Sequence, residues 1–190
     1  MGQKIIFTIL IFYISDVCLF AQANIDFYPK MLKADLKKSC STDFVMIELK
    51  TSPDLEKEIY LGKFYSVANN VFPETIKYVY VGRVLTCRSG GCSVKKYSEN
   101  DKESEYFDYY ILFDQTITIQ LVRIYSYKAT HGQEITANSW LKQFKGYRGD
   151  KEPIANKNID AISGATISVN AINFDVFHKT GLIKEVIAAQ

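Results

Sequence analysis

Between Asp160 and Ser168 the chain reads DAISGATIS. One carboxylate, three hydroxyls (Ser163, Thr166, Ser168) and the small residues Gly164 and Ala165 stand directly ahead of Val169, Ile172 and Val176, which are spaced by three and four as on one helix face. The start of a helix exposes unpaired backbone N–H groups and a partial positive charge, so it accommodates a phosphate. Gly164 and Ala165 keep bulk away from that backbone, and Thr166 offers a hydroxyl at the same point. A phosphate esterified to that hydroxyl would sit among the helix N–H groups. A helix cap by Ser163 or Thr166 accounts for one hydroxyl of the set and leaves the others without a role.

A second group with chemical potential is TCRSGGCS, which sets Cys87 and Cys92 five positions apart around Ser89-Gly90-Gly91. Glycines relieve the backbone limits of a tight loop, so a Cys87–Cys92 disulfide is feasible. As a disulfide it is a structural staple or a redox-active pair. A metal site that adds Cys40 fits worst. The spacing is not CxxC, and the two histidines, His131 and His178, lie beside neither cysteine.

These groups need a frame. The chain has 190 residues, 47% hydrophobic and 23% charged, which suits one ordinary core. Its formal net charge of +2 and the lack of any basic block argue against nucleic acid. Thirteen Tyr and twelve Phe favour a sheet-rich core. DFYPKMLKADLKKSC predicts a short helix with Pro29 near its first turn. DFVMIELK is apolar without a clear period. IYLGKFYSVA and IKYVYVGRVLTC predict strands. RSGGCSVKKYSENDKESE predicts an exposed loop. YFDYYILF and TITIQLVRIYSYKA predict a hairpin broken at Asp114-Gln115. In its second strand Ile117, Ile119, Leu121, Tyr125 and Tyr127 are expected on one face, with Thr118, Gln120, Val122 and Ser126 on the other. THGQEIT predicts a turn. ANSWLKQFKG predicts a helix burying Trp140, Leu141 and Phe144 and stopping at Gly146. A last helix is expected from Thr166 to about Lys179, with Gly181 interrupting it ahead of a second helical piece. The expected class is α+β, an antiparallel sheet with helices packed on it.

At DAISGATIS the sequence resembles the FMN-binding domain family, known from flavin-carrying subunits of the sodium-pumping NADH:quinone reductase and of ferredoxin:NAD reductase complexes. The family motif runs Asp, a short spacer, Ser or Thr, Gly, Ala, Thr, one residue, then Ser or Thr, and this chain matches it throughout. The resemblance covers roughly Phe107 to the C-terminus. Upstream of the motif, family members carry a hairpin, a loop usually reading Glu-Thr-Pro-Gly, and a helix with an aromatic residue near its end. YKATHGQEITANSWLKQFKG occupies that place. Thr130 and Gly132 match the loop, whereas Ala129 and His131 stand where the family has Glu and Pro.

The resemblance implies FMN held covalently through a phosphoester to Thr166, attached by a dedicated flavin transferase that reads the motif. It implies cofactor-binding roles for Asp160, Ser163, Gly164, Ala165, Thr166, Ser168, Thr130 and Gly132. Trp140 and Tyr127 are candidate neighbours of the flavin ring. The expected organisation is an export segment over 1–23, a strand-rich part with the cysteine loop over 24–106 that belongs to the same domain, and the FMN-binding core over 107–190. The expected function is electron transfer, with a membrane oxidoreductase or another redox protein as partner. Two other readings stay open: a reductase of a small molecule that uses the bound flavin and the Cys87/Cys92 pair, and a non-redox exported binding module in which the motif is only a capped helix.

The N-terminus predicts export to an extracytoplasmic compartment such as the periplasm. MGQK supplies positive charge, IIFTILIFYIS an apolar stretch, and Ala21-Gln22-Ala23 a small-x-small cleavage site. Retention of the segment as an anchor is the alternative. In such a compartment disulfides persist, and Cys87 is expected to pair with Cys92 rather than with Cys40. Cleavage after Ala23 predicts a mature chain that begins at Asn24. N-terminal sequencing of the exported protein checks this, and a chain beginning at Met1 contradicts it.

Overall fold

The computed structural model describes residues 24–40, 44–69, 76–88, 104–149 and 166–190. The export segment, Asp160, Ser163, Gly164, Ala165, Cys92 and the side chain of Cys87 lie outside the described residues.

Five strands form one antiparallel sheet in chain order: β1 (Phe44–Glu48), β2 (Gly62–Asn69), β3 (Tyr78–Arg88), β4 (Ser104–Phe113) and β5 (Ile119–Tyr127). Helix α1 (Lys30–Cys40) covers one face. It lays Leu32, Leu36 and Cys40, four residues apart, on Val67, Val79, Val81, Tyr110 and Leu112. The other face carries α2 (Pro53–Ile59), α3 (Asn138–Leu141) and the long α4 (Thr166–Ala188). There Val169, Ile172, Val176, Ile183 and Val186 pack on Phe64, Tyr80, Phe107, Tyr109 and Ile111. The class is α+β, as expected.

The two faces of the sheet read off β4. Its Phe107, Tyr109, Ile111 and Phe113 face α4, and Tyr110 and Leu112 face α1. This is the period-two alternation of a strand buried on both sides.

β5 departs from the expected alternation. Ile119, Val122, Ile124 and Tyr127 lie on the α4 face, while Leu121 and Tyr125 lie on the α1 face. Two bulges cause this. Leu112 pairs with Leu121 but Phe113 pairs with Ile119, and Asp108 pairs with Ser126 but Tyr109 pairs with Ile124. Each inserts one extra residue into β5 and flips the pattern beyond it. The hairpin loop is also longer than expected, with β4 ending at Phe113 and β5 beginning at Ile119. The Asp114 carboxylate holds it by accepting from the N–H groups of Thr116 and Thr118.

Three further differences have local causes. The helix α2 is capped by Ser52, whose hydroxyl accepts from the Leu55 N–H, with Pro53 opening the first turn beside Asp54 and Glu56. The predicted ANSWLKQFKG helix divides into α3 and a 3-10 turn, Lys142–Phe144, and still buries Leu141 and Phe144 against the core. Gly181 does not interrupt α4, which runs unbroken for 23 residues. A glycine inside a helix costs about 1 kcal/mol, and burial of Leu182, Ile183 and Val186 beyond it outweighs that cost.

Beneath α4 sits a three-residue packing unit. Gly62 and Gly82 are cross-strand partners, and the Tyr80 ring leans over both. A β-carbon on either glycine would fall 2.2 Å from the Tyr80 hydroxyl oxygen. The ring also meets Phe64 and Tyr109, at centroid distances of 4.9 and 5.6 Å. Gly82→Ala is therefore expected to destabilise the protein by about 1–3 kcal/mol, the range of an overpacked core. A second change, Tyr80→Leu, should recover part of that loss. Urea unfolding midpoints of the two single variants and the double variant check the non-additivity.

Candidate functional site

Thr166 is the first residue of α4 and is exposed to solvent. It stands inside the helix rather than in the capping position before it. Ser168, two residues on, is turned inward and buried. Its hydroxyl lies 3.0 Å from the Tyr127 hydroxyl at the end of β5. Tyr127 spends its single proton on the His131 carbonyl, at 2.5 Å. Ser168 must then be the donor in the bond between the two hydroxyls. Tyr127 is further fixed by stacking on Phe107, with centroids 5.9 Å apart. Burial raises its phenol above the ordinary tyrosine range, with the Glu105 and Glu134 carboxylates adding to the effect and the Ser168 bond opposing it. It stays a neutral donor.

The loop after β5 is thereby tied to the first turn of α4. Gly132 is buried with φ of 85°, a conformation that suits glycine, and its carbonyl accepts from the Ile135 N–H to open a 3-10 turn, Gln133–Thr136. The Thr130 hydroxyl donates to Glu105 at 2.6 Å and is exposed. The structure thus joins Ser168 to Tyr127 and the His131 backbone. It engages Thr130 with β4 and leaves Thr166 open to solvent.

The rotation of α4 is set deeper in the core. The Tyr109 hydroxyl donates to Asp175 at 2.6 Å. The Lys179 ammonium lies 3.7 Å from the same carboxylate and donates to the carbonyls of Glu58 and Ile59, at 2.9 and 3.0 Å, where α2 ends. Burial raises the Asp175 carboxyl above its usual range even though Lys179 and Tyr109 pull it down, and burial lowers Lys179.

With that rotation, one flank of α4 faces the segment after α3. Phe177 meets Tyr147, centroids 6.5 Å apart, and Thr180 packs beside Gly149. On the same flank, one turn before Phe177, stands Asn173, which is 3% exposed. Among the described residues neither end of its carboxamide has a hydrogen-bond partner, and the buried indole N–H of Trp140 on α3 has none either. Each such group costs about 1–3 kcal/mol when left unsatisfied. Asn173 thus leaves a donor and an acceptor unmatched on α4, the groups that a polar aromatic ligand with carbonyl and N–H groups would pair with, so it fits a flavin. Trp140, an expected neighbour of the flavin ring, packs edge-on against Phe144 with ring centroids 5.8 Å apart. Asn173 was not among the predicted site residues, because one amide beside Ile172 marks nothing until its partners can be counted.

The family model described as FMN-binding domain matches residues 106–174. That span runs from β4 through the first turns of α4 and holds Tyr127, the 130–132 loop, α3, Thr166 and Asn173. No curated protein and no solved structure matches the chain. Ser168→Ala removes the donor to Tyr127 and is expected to lower stability by about 1 kcal/mol. Tyr127→Phe should cost more, because it also removes the donor to the His131 carbonyl, and the double variant should fall short of the sum of the two, since both changes break the shared bond. Thermal unfolding of the two single variants and the double variant checks this.

Proposed function

We propose, from the match of residues 106–174 to the FMN-binding domain model, that the protein is an exported electron carrier whose FMN is joined through a phosphoester to Thr166. The observation that carries the reading is the position of Thr166: an exposed hydroxyl on the first residue of a 23-residue helix, inside the matched span.

The chain's own residues supply the rest. The first N–H groups of α4 have no helical partner of their own and offer donors to a phosphate. Gly164 and Ala165 carry little or no side chain, and with Asp160 and Ser163 they complete the motif that a flavin transferase reads. Ser168 holds the helix start against β5 and does not itself reach outward. Tyr127 stands beside the first turn of α4 through its bond with Ser168, and Trp140 is the second aromatic proposed to neighbour the ring. The bound flavin supplies uptake and release of electrons, while the protein positions and tunes it. Outside the cytoplasm a dissociated cofactor is lost by diffusion, and an ester bond prevents that loss. The redox partner in this reading is a membrane oxidoreductase or another redox protein.

Co-expression with a flavin transferase, followed by denaturing electrophoresis and flavin fluorescence, tests the assignment. Wild-type protein should fluoresce after denaturation. Thr166→Ala should lose the signal entirely while keeping its fold, because replacing an exposed hydroxyl at a helix start costs only about 1 kcal/mol. Thr166→Ser should retain part of it, Asp160→Ala should lower it, and Ser168→Ala should lower it less. A fluorescent Thr166→Ala band places the bond on another residue.

A further inference from the structure

The carboxamide of Asn173 is a buried donor and acceptor together that the described packing leaves unmatched, where Tyr80, Trp140 and Gln143 each leave one polar atom so. On α4 itself the other inward-facing polar side chains are satisfied: Ser168 by Tyr127, Asp175 by Tyr109, Lys179 by two carbonyls and Thr180 by the Val176 carbonyl. Asn173 alone on this helix presents a buried donor and a buried acceptor with nothing to meet them among the described residues. A leucine there would cost the fold nothing of this kind.

Thr166 and Asn173 lie on one line of α4. Seven residues bring a helix back to within about 20° of the same direction, roughly 10 Å further along its axis. A group anchored at Thr166 by its phosphate end, with a ribityl chain leading to a fused ring, extends over that distance. The far edge of an isoalloxazine carries carbonyl, N–H and carbonyl in a row. A primary carboxamide, one donor beside one acceptor, pairs with two neighbouring members of that row.

We propose that Asn173 reads the pyrimidine edge of the flavin, donating to a ring carbonyl and accepting from the ring N–H, and so fixes the ring's orientation and its potential. This rests on the flavin at Thr166 and makes Asn173 a positioning residue. A donor at a ring carbonyl favours the reduced ring, which carries more negative charge there, so the bond raises the potential.

The test uses the full chain, wild type and Asn173→Leu, expressed with and without a flavin transferase. Without flavin, Asn173→Leu should unfold at a higher temperature than wild type, because it removes an unsatisfied buried group. With flavin attached, it should show the ring carbonyl stretches shifted to higher frequency in the infrared spectrum and a midpoint potential shifted to a more negative value. Should the leucine fail to fold, Asn173→Thr, smaller and carrying one hydroxyl, is read for the same shifts. Unchanged carbonyl stretches and potential in a folded, flavin-loaded variant overturn the role of Asn173 and leave the attachment at Thr166 standing. A wild-type chain that never acquires flavin overturns both.

Discussion

The hydrogen bond from the Tyr109 hydroxyl to Asp175 holds α4 at one rotation on the sheet. Apolar packing alone is a weak judge of helix rotation, since Ile172, Val176 and Ile183 can slide over other apolar groups with small penalties. A short bond to a carboxylate has no such tolerance. Lys179 adds a second constraint by joining the same carboxylate to the end of α2. Turning α4 by one residue, about 100°, would break both contacts. It would also carry Ser168 away from Tyr127 and change which hydroxyl of the motif meets solvent. The exposure of Thr166 is thus decided some nine residues away from it.

β4 carries the matching constraints on the opposite side. Tyr110 donates to Asp35 of α1 at 2.6 Å, and the Arg123 guanidinium of β5 lies 3.0 Å from the same carboxylate. Two positions earlier, Asp108 accepts two bonds from Arg83 of β3, at 2.6 and 3.0 Å. A buried ion pair adds little net stability against an apolar pair of the same size, because both charges lose water. Its geometric demand is strict. Asp108, Tyr109 and Tyr110 together therefore set a strand and both covering helices, one residue after another, from the central part of the sheet.

Much of this was legible in the sequence. α1 followed from its proline start at Pro29, and the apolar spacing of Val169, Ile172 and Val176 located α4. The Asp160–Ser168 motif pointed to the helix start where Thr166 stands. The errors share one physical origin: pattern reading assumes a regular lattice. Two inserted residues in β5 moved Leu121 and Val122 to opposite faces from those expected, and a bulge leaves no mark in composition. Gly181 looked like a break because local propensity was weighed without the packing that follows it. α2 was missed although Ser52, Pro53 and two acids announced it; its apolar content was too low to show a period. Asn173 needed three dimensions, because a single amide beside an apolar stripe becomes informative only when its partners can be counted.

Gly62, Tyr80 and Gly82 form one volume divided among three positions on two strands. Over generations of sequence drift none of the three can change by itself. Any side chain gained at either glycine collides with the ring, and any shrinking of the ring opens a void beneath α4. A lineage can leave this arrangement only by passing through a less stable intermediate or by changing two codons together. The three residues should accordingly persist or vanish as a set among descendants of this chain, and descendants that lost the tyrosine should be those in which a glycine has acquired a side chain.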